Sequence, residues 1–345
     1  MSTLHVISSL EIGGAQKLLS ELLPVMKRQG EDVTLLVYNR LGNALEARLE
    51  EAGVPIISLN VRNPRSIEVI PALRKAIKPY KNVHVHLFPA LYQTALAAMG
   101  TRQKLYYTEH STSNRRRKKH YVRNIEQYVY GRYRKIVGIS DAVRDSLVKW
   151  LGNKFDAKVQ TIENGIDFRK MRDAVPSPQF PDQRYILMVS RFVDQKDQAT
   201  LIKAIPHVED KEVLFLFAGD GPNLEKCREL ARKKKVEDRC VFLGTRNDIP
   251  ALIAGSLMGV QSSKVEGFGL TAVEFMAAGK PVIGSEIPGL GDIIGDVSRT
   301  FPAGNHEMLA AKINAILTDP RPNRTDFARY DIERMAAEYI DLYRR

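Results

Sequence analysis

The segment Leu4–Met26, LHVISSLEIGGAQKLLSELLPVM, reads as strand, glycine turn and helix in succession. LHVIS is a short apolar run, Gly13 and Gly14 turn the chain, and Leu18, Leu19, Leu22, Val25 and Met26 then recur at helical spacing. The unit repeats downstream. VTLLVY (33–38), VPIISL (54–59), VHVHLF (83–88), KLYYT (104–108) and KIVGIS (135–140) are strand candidates, most of them separated by stretches of helical length. Around residues 172–183 the pattern stops at RDAVPSPQFPDQ, whose Pro176, Pro178 and Pro181 suit an extended connector. A second series follows in YILMVS (185–190), VLFLFAG (213–219), CVFLG (240–244), MGVQSS (258–263) and PVIGS (281–285). Strands alternating with helices predict parallel sheets covered on both faces, so the fold class is α/β with two doubly wound domains. In the last segment, 326–343, Phe327, Tyr330, Met335, Tyr339 and Leu342 stand near helical spacing.

Composition narrows the classes. The 345 residues are 44% hydrophobic and 27% charged, which argues against wholesale disorder, a collagen-like repeat or a coiled-coil rod. Two cysteines, Cys227 and Cys240, make neither a disulfide framework nor a zinc spacing and predict buried thiols in a reducing compartment. There is no apolar run of membrane-spanning length, and the sequence opens on a strand instead of a signal peptide, so a cytoplasmic location is expected.

The net charge of +12 is unevenly placed. Residues 1–165 hold 26 Lys+Arg against 14 Asp+Glu, whereas residues 166–345 hold 26 of each. Between residues 101 and 160 there are 15 basic and 5 acidic residues, among them the run Arg115, Arg116, Arg117, Lys118 and Lys119. This concentration implies an anionic partner for the first half. The run continues into a segment that interleaves Tyr121, Tyr128, Tyr130 and Tyr133 with Arg123, Arg132 and Arg134, a composition suited to an anionic membrane surface. It also fits nucleic acid or a solvated basic face; with no nucleic-acid signature beside it, lipid ranks above nucleic acid.

The richest motif is Glu266-Gly-Phe-Gly-Leu-Thr-Ala-Val-Glu274. Gly267 and Gly269 flank Phe268 just before a helix, where backbone N–H groups and the positive helix end suit an anion. A carboxylate at each end, Glu266 and Glu274, suits a ligand with hydroxyls on both sides of a phosphate. Arg191 and Lys196 follow the strand YILMVS, where a guanidinium and an ammonium would neutralise a diphosphate. GDGP (219–222) ends another strand of this domain, as a plain turn or a backbone approach to the ligand. Gly13 and Gly14 lack the G-x-G-x-x-G pattern, which argues against a dinucleotide enzyme. Glu109 and His110 follow KLYYT, where a histidine either packs or meets a sugar hydroxyl or shuttles a proton. In open α/β sheets ligands bind beyond the carboxyl ends of the strands, so a cleft between the domains is the expected site.

Taken in order, the GG loop, ENGID (163–167), RFVDQK (191–196), AGDGP (218–222) and EGFGLTAVE (266–274) resemble the retaining glycosyltransferases of family 4, over residues 3–290. The resemblance implies the GT-B fold, with an acceptor domain over 1–168, a nucleotide-sugar domain over 169–325, and a last helix near 326–345 crossing back to the first. It implies that Glu274 holds the ribose, Arg191 and Lys196 the diphosphate, and the backbone of Gly267, Phe268, Gly269 and Leu270 the phosphate and sugar. Glu266 would meet the sugar hydroxyls, His110 the reacting sugar, Gly13 and Gly14 the phosphate and acceptor, and Arg246 the surroundings of the base. His110, Arg191, Lys196 and Glu266 are the catalytic candidates, with no metal and no cofactor expected. The chain departs from the family after PGLGDIIGD, where VSRTFPAGNHEM replaces a glycine-rich segment.

The function that follows is transfer of a sugar from a nucleotide-sugar donor, UDP-linked by preference, to a glycan or polyprenyl-diphosphate-linked acceptor at the inner membrane face. A nucleotide-sugar epimerase of the same architecture and a non-catalytic binder of nucleotide sugar or anionic lipid are the alternatives.

Overall fold

A computed structural model describes residues 2–11, 13–119, 121–323 and 328–345. The chain divides into two compact units, Met1–Ile166 with Arg329–Arg345, and Asp167–Ala328. In the first, β1 (Ser2–Val6), β2 (Asp32–Val37), β3 (Ile56–Ser58), β4 (Asn82–His86), β5 (Lys104–Glu109), β6 (Lys135–Gly138) and β7 (Val159–Thr161) form one sheet in the order β3-β2-β1-β4-β5-β6-β7. In the second, β8 (Tyr185–Val189), β9 (Leu214–Ala218), β10 (Cys240–Gly244), β11 (Met258–Gln261), β12 (Val282–Ser285) and β13 (Thr300–Phe301) are ordered β10-β9-β8-β11-β12-β13. Every neighbouring pair is parallel. Both units are therefore doubly wound sheets of Rossmann type, as the strand–helix alternation predicts. Two of the four edge strands, β7 and β13, escape that reading because three and two residues carry no measurable periodicity.

Alternation along β1 and β4 sorts the side chains by face. Leu4, Val6, Val83 and Val85 join the aliphatic core, while His5, His84 and His86, all buried, stand on the opposite face. There they meet the helix Ile332–Arg344, whose Tyr339 and Tyr343 are fully buried. Tyr343 Oη bonds His84 Nδ1, Thr108 Oγ1 lies 2.7 Å from His84 Nε2, and Tyr339 Oη lies 3.1 Å from Thr108 Oγ1. The helix also contacts the helix Gly14–Arg28 through Arg28–Glu333 at 2.9 Å. Phe327, expected in this segment, lies outside the described residues, and the described helix begins at Ile332.

The chain leaves and re-enters the first unit through one bonded crossing. Ile166 N donates to Tyr330 O at 2.9 Å and Ile332 N to Ile166 O at 3.1 Å. Gly165 permits it, since a Cβ there would stand 2.6 Å from Ile332 Cα. ENGID thus serves the crossing, with Glu163 paired to Arg329. The proline segment expected as an extended connector instead packs within the second unit: Ser177 N donates to Ala251 O at 3.2 Å, and Phe180 meets the Tyr185 ring. Cys227 and Cys240 are both buried thiols, and burial pushes their pKa values up to about 11 and about 12.

Candidate functional site

β8 and β11 are neighbours in the second sheet although two strands separate them in sequence, so the sheet reverses its winding between them. A crevice outside the carboxyl ends of such a pair is where doubly wound folds bind ligands. The loop after β8 carries Arg191 and Lys196; the loop after β11 carries Glu266 through Gly269. The two loops are laced together. Ser262 Oγ donates to Asp197 O at 2.8 Å, Lys264 N donates to Gln195 O at 2.8 Å, and buried Gln198 donates through Nε2 to Arg191 O at 2.8 Å. Lys196 Nζ thereby reaches the carboxylate of Glu266, joining residues 70 positions apart. Their side chains keep 23% and 17% exposure, so the pair is reachable from solvent yet partly desolvated. Arg191 is exposed and has no ion pair among the described residues.

The glycines of AGDGP support this loop. A Cβ on Gly219 would stand 2.0 Å from Ser190 O, and one on Gly221 2.5 Å from Phe192 O, with φ of +139° and +152°. Phe192 N in turn donates to Asp220 O at 2.9 Å. The glycines are thus explained by close passage of the Arg191 backbone, which they hold in place.

Gly269, at φ +99°, starts the helix Leu270–Ala277, and no side chain caps its first turn. Its leading N–H groups, which have no partner within the helix, mark the end of the loop that Glu266 begins. Glu274 is 3% exposed on this helix. Phe268, expected among the ligand contacts through its backbone, is buried at 2% exposure. Arg246 follows β10 and is held by Asp248 through two bonds of 2.8 and 2.6 Å, which keep the Asp248 carboxyl below the usual carboxylate range.

In the first unit the winding reverses between β1 and β4. Gly13 precedes the helix Gly14–Arg28; a Cβ on it would meet only the tip of the Gln16 side chain, and one on Gly14 would meet nothing within 4 Å. His110 follows β5, and its Nε2 lies 3.3 Å from His86 Nδ1. Burial lowers the His110 pKa to about 4, so the ring is neutral near pH 7. His5, His84 and His86 were not legible as a site from sequence. The H-x-H alternation of β4 gives half the signal, but the pairing of His5 with His84 needs the strand register.

The basic run departs from its expected role. Arg116 and Arg117 turn inward: Arg116 Nε donates at 3.0 Å to Glu126, which is 0% exposed, and Arg117 Nη2 donates at 2.6 Å to Glu109. Arg116 also lies over the Phe88 ring at 4.6 Å. Two charges assigned to a membrane surface therefore neutralise interior carboxylates, because leaving Glu109 and Glu126 unpaired would be costly. Lys119 is exposed, and the side chains of Arg115 and Lys118 lie outside what is described.

Two parallel-sheet units, one with cations and a glycine-started helix at its strand reversal, define the GT-B class of glycosyltransferases. The chain belongs to glycosyltransferase family 4: the model of Glycosyltransferase Family 4 matches residues 12–170, and that of Glycosyl transferases group 1 matches residues 170–334. It is 24% identical over 357 residues to the phosphatidyl-myo-inositol mannosyltransferase of Mycolicibacterium smegmatis, covering 96% of this chain and 90% of that protein. It is 26% identical over 312 residues to the putative glycosyltransferase EpsF of Bacillus subtilis, covering 82% and 78%. The match to N-acetyl-α-D-glucosaminyl L-malate synthase of Bacillus anthracis, 26% identical, spans 54% of this chain and 53% of that protein. Among solved structures, Anabaena HepE in complex with UDP-glucose superimposes with a TM-score of 0.86 at 20% identity, over 99% of this chain and 100% of that one. Sucrose-phosphate synthase of Thermosynechococcus elongatus gives 0.81 at 20% identity, over 100% and 98%.

Proposed function

We propose that the chain is a retaining transferase that moves a sugar from a UDP-sugar to a glycan or polyprenyl-diphosphate-linked saccharide presented at an anionic membrane surface. The observation that carries the reading is the meeting of Lys196 and Glu266 at the strand reversal of the second unit, beside the helix start at Gly269. In the reaction the anomeric carbon–oxygen bond to the diphosphate breaks, the acceptor oxygen bonds to the same face of that carbon, and the acceptor proton passes to the leaving diphosphate. Arg191 and Lys196 stabilise the charge that develops on the leaving group. Glu266 orients Lys196 and meets the sugar hydroxyls, Glu274 holds the ribose, and no metal or cofactor enters the scheme. The complex of HepE with UDP-glucose supports the choice of UDP.

Donor binding is tested by thermal stability against UDP-, GDP-, ADP- and CMP-sugars. A UDP-sugar at about 100 times its Kd is expected to stabilise the fold by about 2.7 kcal/mol, and Glu274→Gln is expected to abolish the gain. No shift with any of the four classes would remove the donor site; turnover of donor without acceptor would make the protein an epimerase or hydrolase instead.

The membrane component rests on the helix Val122–Gly131 and the residue before it. Tyr121, Ile125 and Tyr128 are 69%, 52% and 55% exposed at positions i, i+4 and i+7, with Lys119, Arg123 and Arg132 exposed beside them. Aromatic rings among cations suit the headgroup region. A relative whose name gives a phosphatidyl-inositol acceptor, and alignment with it over 96% of the chain, support a lipid-borne acceptor. Among the described residues no helix is long and apolar enough to cross a membrane, so the reading is peripheral attachment at the inner face. Co-sedimentation with vesicles containing phosphatidylglycerol is expected for the wild type and should fall at least fivefold in Tyr121→Ser/Ile125→Ser/Tyr128→Ser; equal sedimentation of both would end this part of the reading.

A further inference from the structure

Four histidines converge where the first sheet reverses its winding, and three of them form a line. His5 Nδ1 lies 3.2 Å from His86 Nε2, and His86 Nδ1 lies 3.3 Å from His110 Nε2. His84 stands beside the line, its ring stacked on His86 at 4.5 Å and 11°, with both its nitrogens already bonded to Tyr343 and Thr108. His5 and His84 are 0% exposed and His86 is 2% exposed. At the far end, His5 Nε2 is buried and has no partner.

The ligand atoms of His5, His84 and His86 lie within 4.8 Å of one another, close enough for a metal ion. Ring orientation argues otherwise. A metal draws three imidazoles to point radially at one centre, whereas His84 and His86 are stacked nearly parallel, and His5 and His86 meet nitrogen to nitrogen at 11° between planes.

Burial holds all four rings neutral, so each carries one proton and each nitrogen–nitrogen contact holds one. Only two arrangements satisfy both contacts. In one, every proton lies on Nδ1: His5 donates to His86, and His86 donates to His110, leaving a bare Nε2 on His5. In the other, every proton lies on Nε2, and the orphan at the buried end is an N–H. A stranded buried N–H is the rarer and costlier defect.

We infer that His86 and, behind it, His5 are positioning residues that lock His110 in the Nδ1–H tautomer, so that His110 presents a hydrogen-bond donor, not a base, to the sugar or acceptor. The inference rests on the transferase reading for the identity of what His110 meets, but the tautomer itself belongs to the free protein. As a donor, His110 is suited to an oxygen that gains negative charge as the bond to the diphosphate breaks. It cannot take the acceptor proton through Nε2, because that nitrogen is occupied by His86.

Nitrogen-15 NMR of histidine-labelled protein, without any donor, reads the tautomer directly. The expected result is a bare Nε2 and a protonated Nδ1 on His110. His86→Leu should leave His110 as a mixture of tautomers and lower kcat by about 10- to 100-fold at a donor KM within twofold of wild type, the usual scale for removing a group that orients a functional histidine. His86→Asn, whose amide nitrogen falls where Nδ1 was, should restore the Nδ1–H form and most of kcat. A bare Nδ1 on His110 in the wild type, or an unchanged tautomer in His86→Leu, would overturn the inference. So would uptake of one equivalent of zinc that His5→Leu abolishes. Failure of transfer with every nucleotide sugar, with the tautomer as expected, would sink the transferase reading and leave the lock standing.

Discussion

Lys196→Ala is expected to lower kcat/KM for sugar transfer by about 10²- to 10³-fold, or about 2.7–4 kcal/mol of transition-state stabilisation. The size follows from where the ammonium sits. Its carboxylate partner Glu266 holds it at the end of β8, in a loop pinned by Ser262, Gln198 and the glycines of the neighbouring turn. A charge held in place before reaction needs no reorganisation when the diphosphate departs, and partial burial strengthens its effect. Lys196→Arg should recover little, because the longer, planar guanidinium can still pair with Glu266 but places a more diffuse charge away from where the compact ammonium sits. Folding stability should change by less than about 1 kcal/mol, since the pair is not deeply buried. Steady-state kinetics together with a denaturation curve separate the two effects. Activity within threefold of wild type would show that Lys196 has no part in stabilising the leaving group.

Stability is expected to be level between about pH 7 and pH 8 and to fall steeply below pH 6.5. In the folded protein, burial lowers His5 to about 3 and His110 to about 4, and holds His84 and His86 well below their ordinary value. The unfolded chain takes up these protons near pH 6.5, so below that pH the unfolded state binds more protons and folding weakens as pH falls. Each histidine contributes a slope of about 1.4 kcal/mol per pH unit until its folded pKa is reached, so four of them give about 5 kcal/mol per unit near pH 5. That rivals the whole stability of an ordinary domain. Urea unfolding at pH 7.5, 6.0 and 5.0 measures the slope, and His5→Leu/His86→Leu should roughly halve it. Equal midpoints at pH 7.5 and 5.0 would mean that the rings are already charged or are reached by water in the folded state.

The strands, their alternation with helices and the glycosyltransferase motifs were legible in the sequence because each is a local pattern. Arg191, Lys196, Glu266 and Gly269 fall at the ends of β8 and β11, where a strand-end rule puts them. The contact between Lys196 and Glu266 was not legible, since it depends on β8 and β11 being neighbours. The basic run misled for a related reason. A row of arginines looks like surface until their partners are known, and Glu109 and Glu126 become buried carboxylates only once β5 and the helix Val122–Gly131 are packed. Arg246 likewise gained a local partner, Asp248, two residues away.

The hydroxyls that finish the histidine layer come from Tyr339 and Tyr343, which the ribosome adds only after every residue of the second unit has been made. Residues 167–328 form one continuous stretch and can fold as they emerge, whereas in the first sheet His84 and Thr108 have each other but wait for the tyrosine hydroxyls. At about 5–20 residues per second, that interval lasts on the order of ten to forty seconds. During synthesis the half of the protein made first is therefore the half completed last.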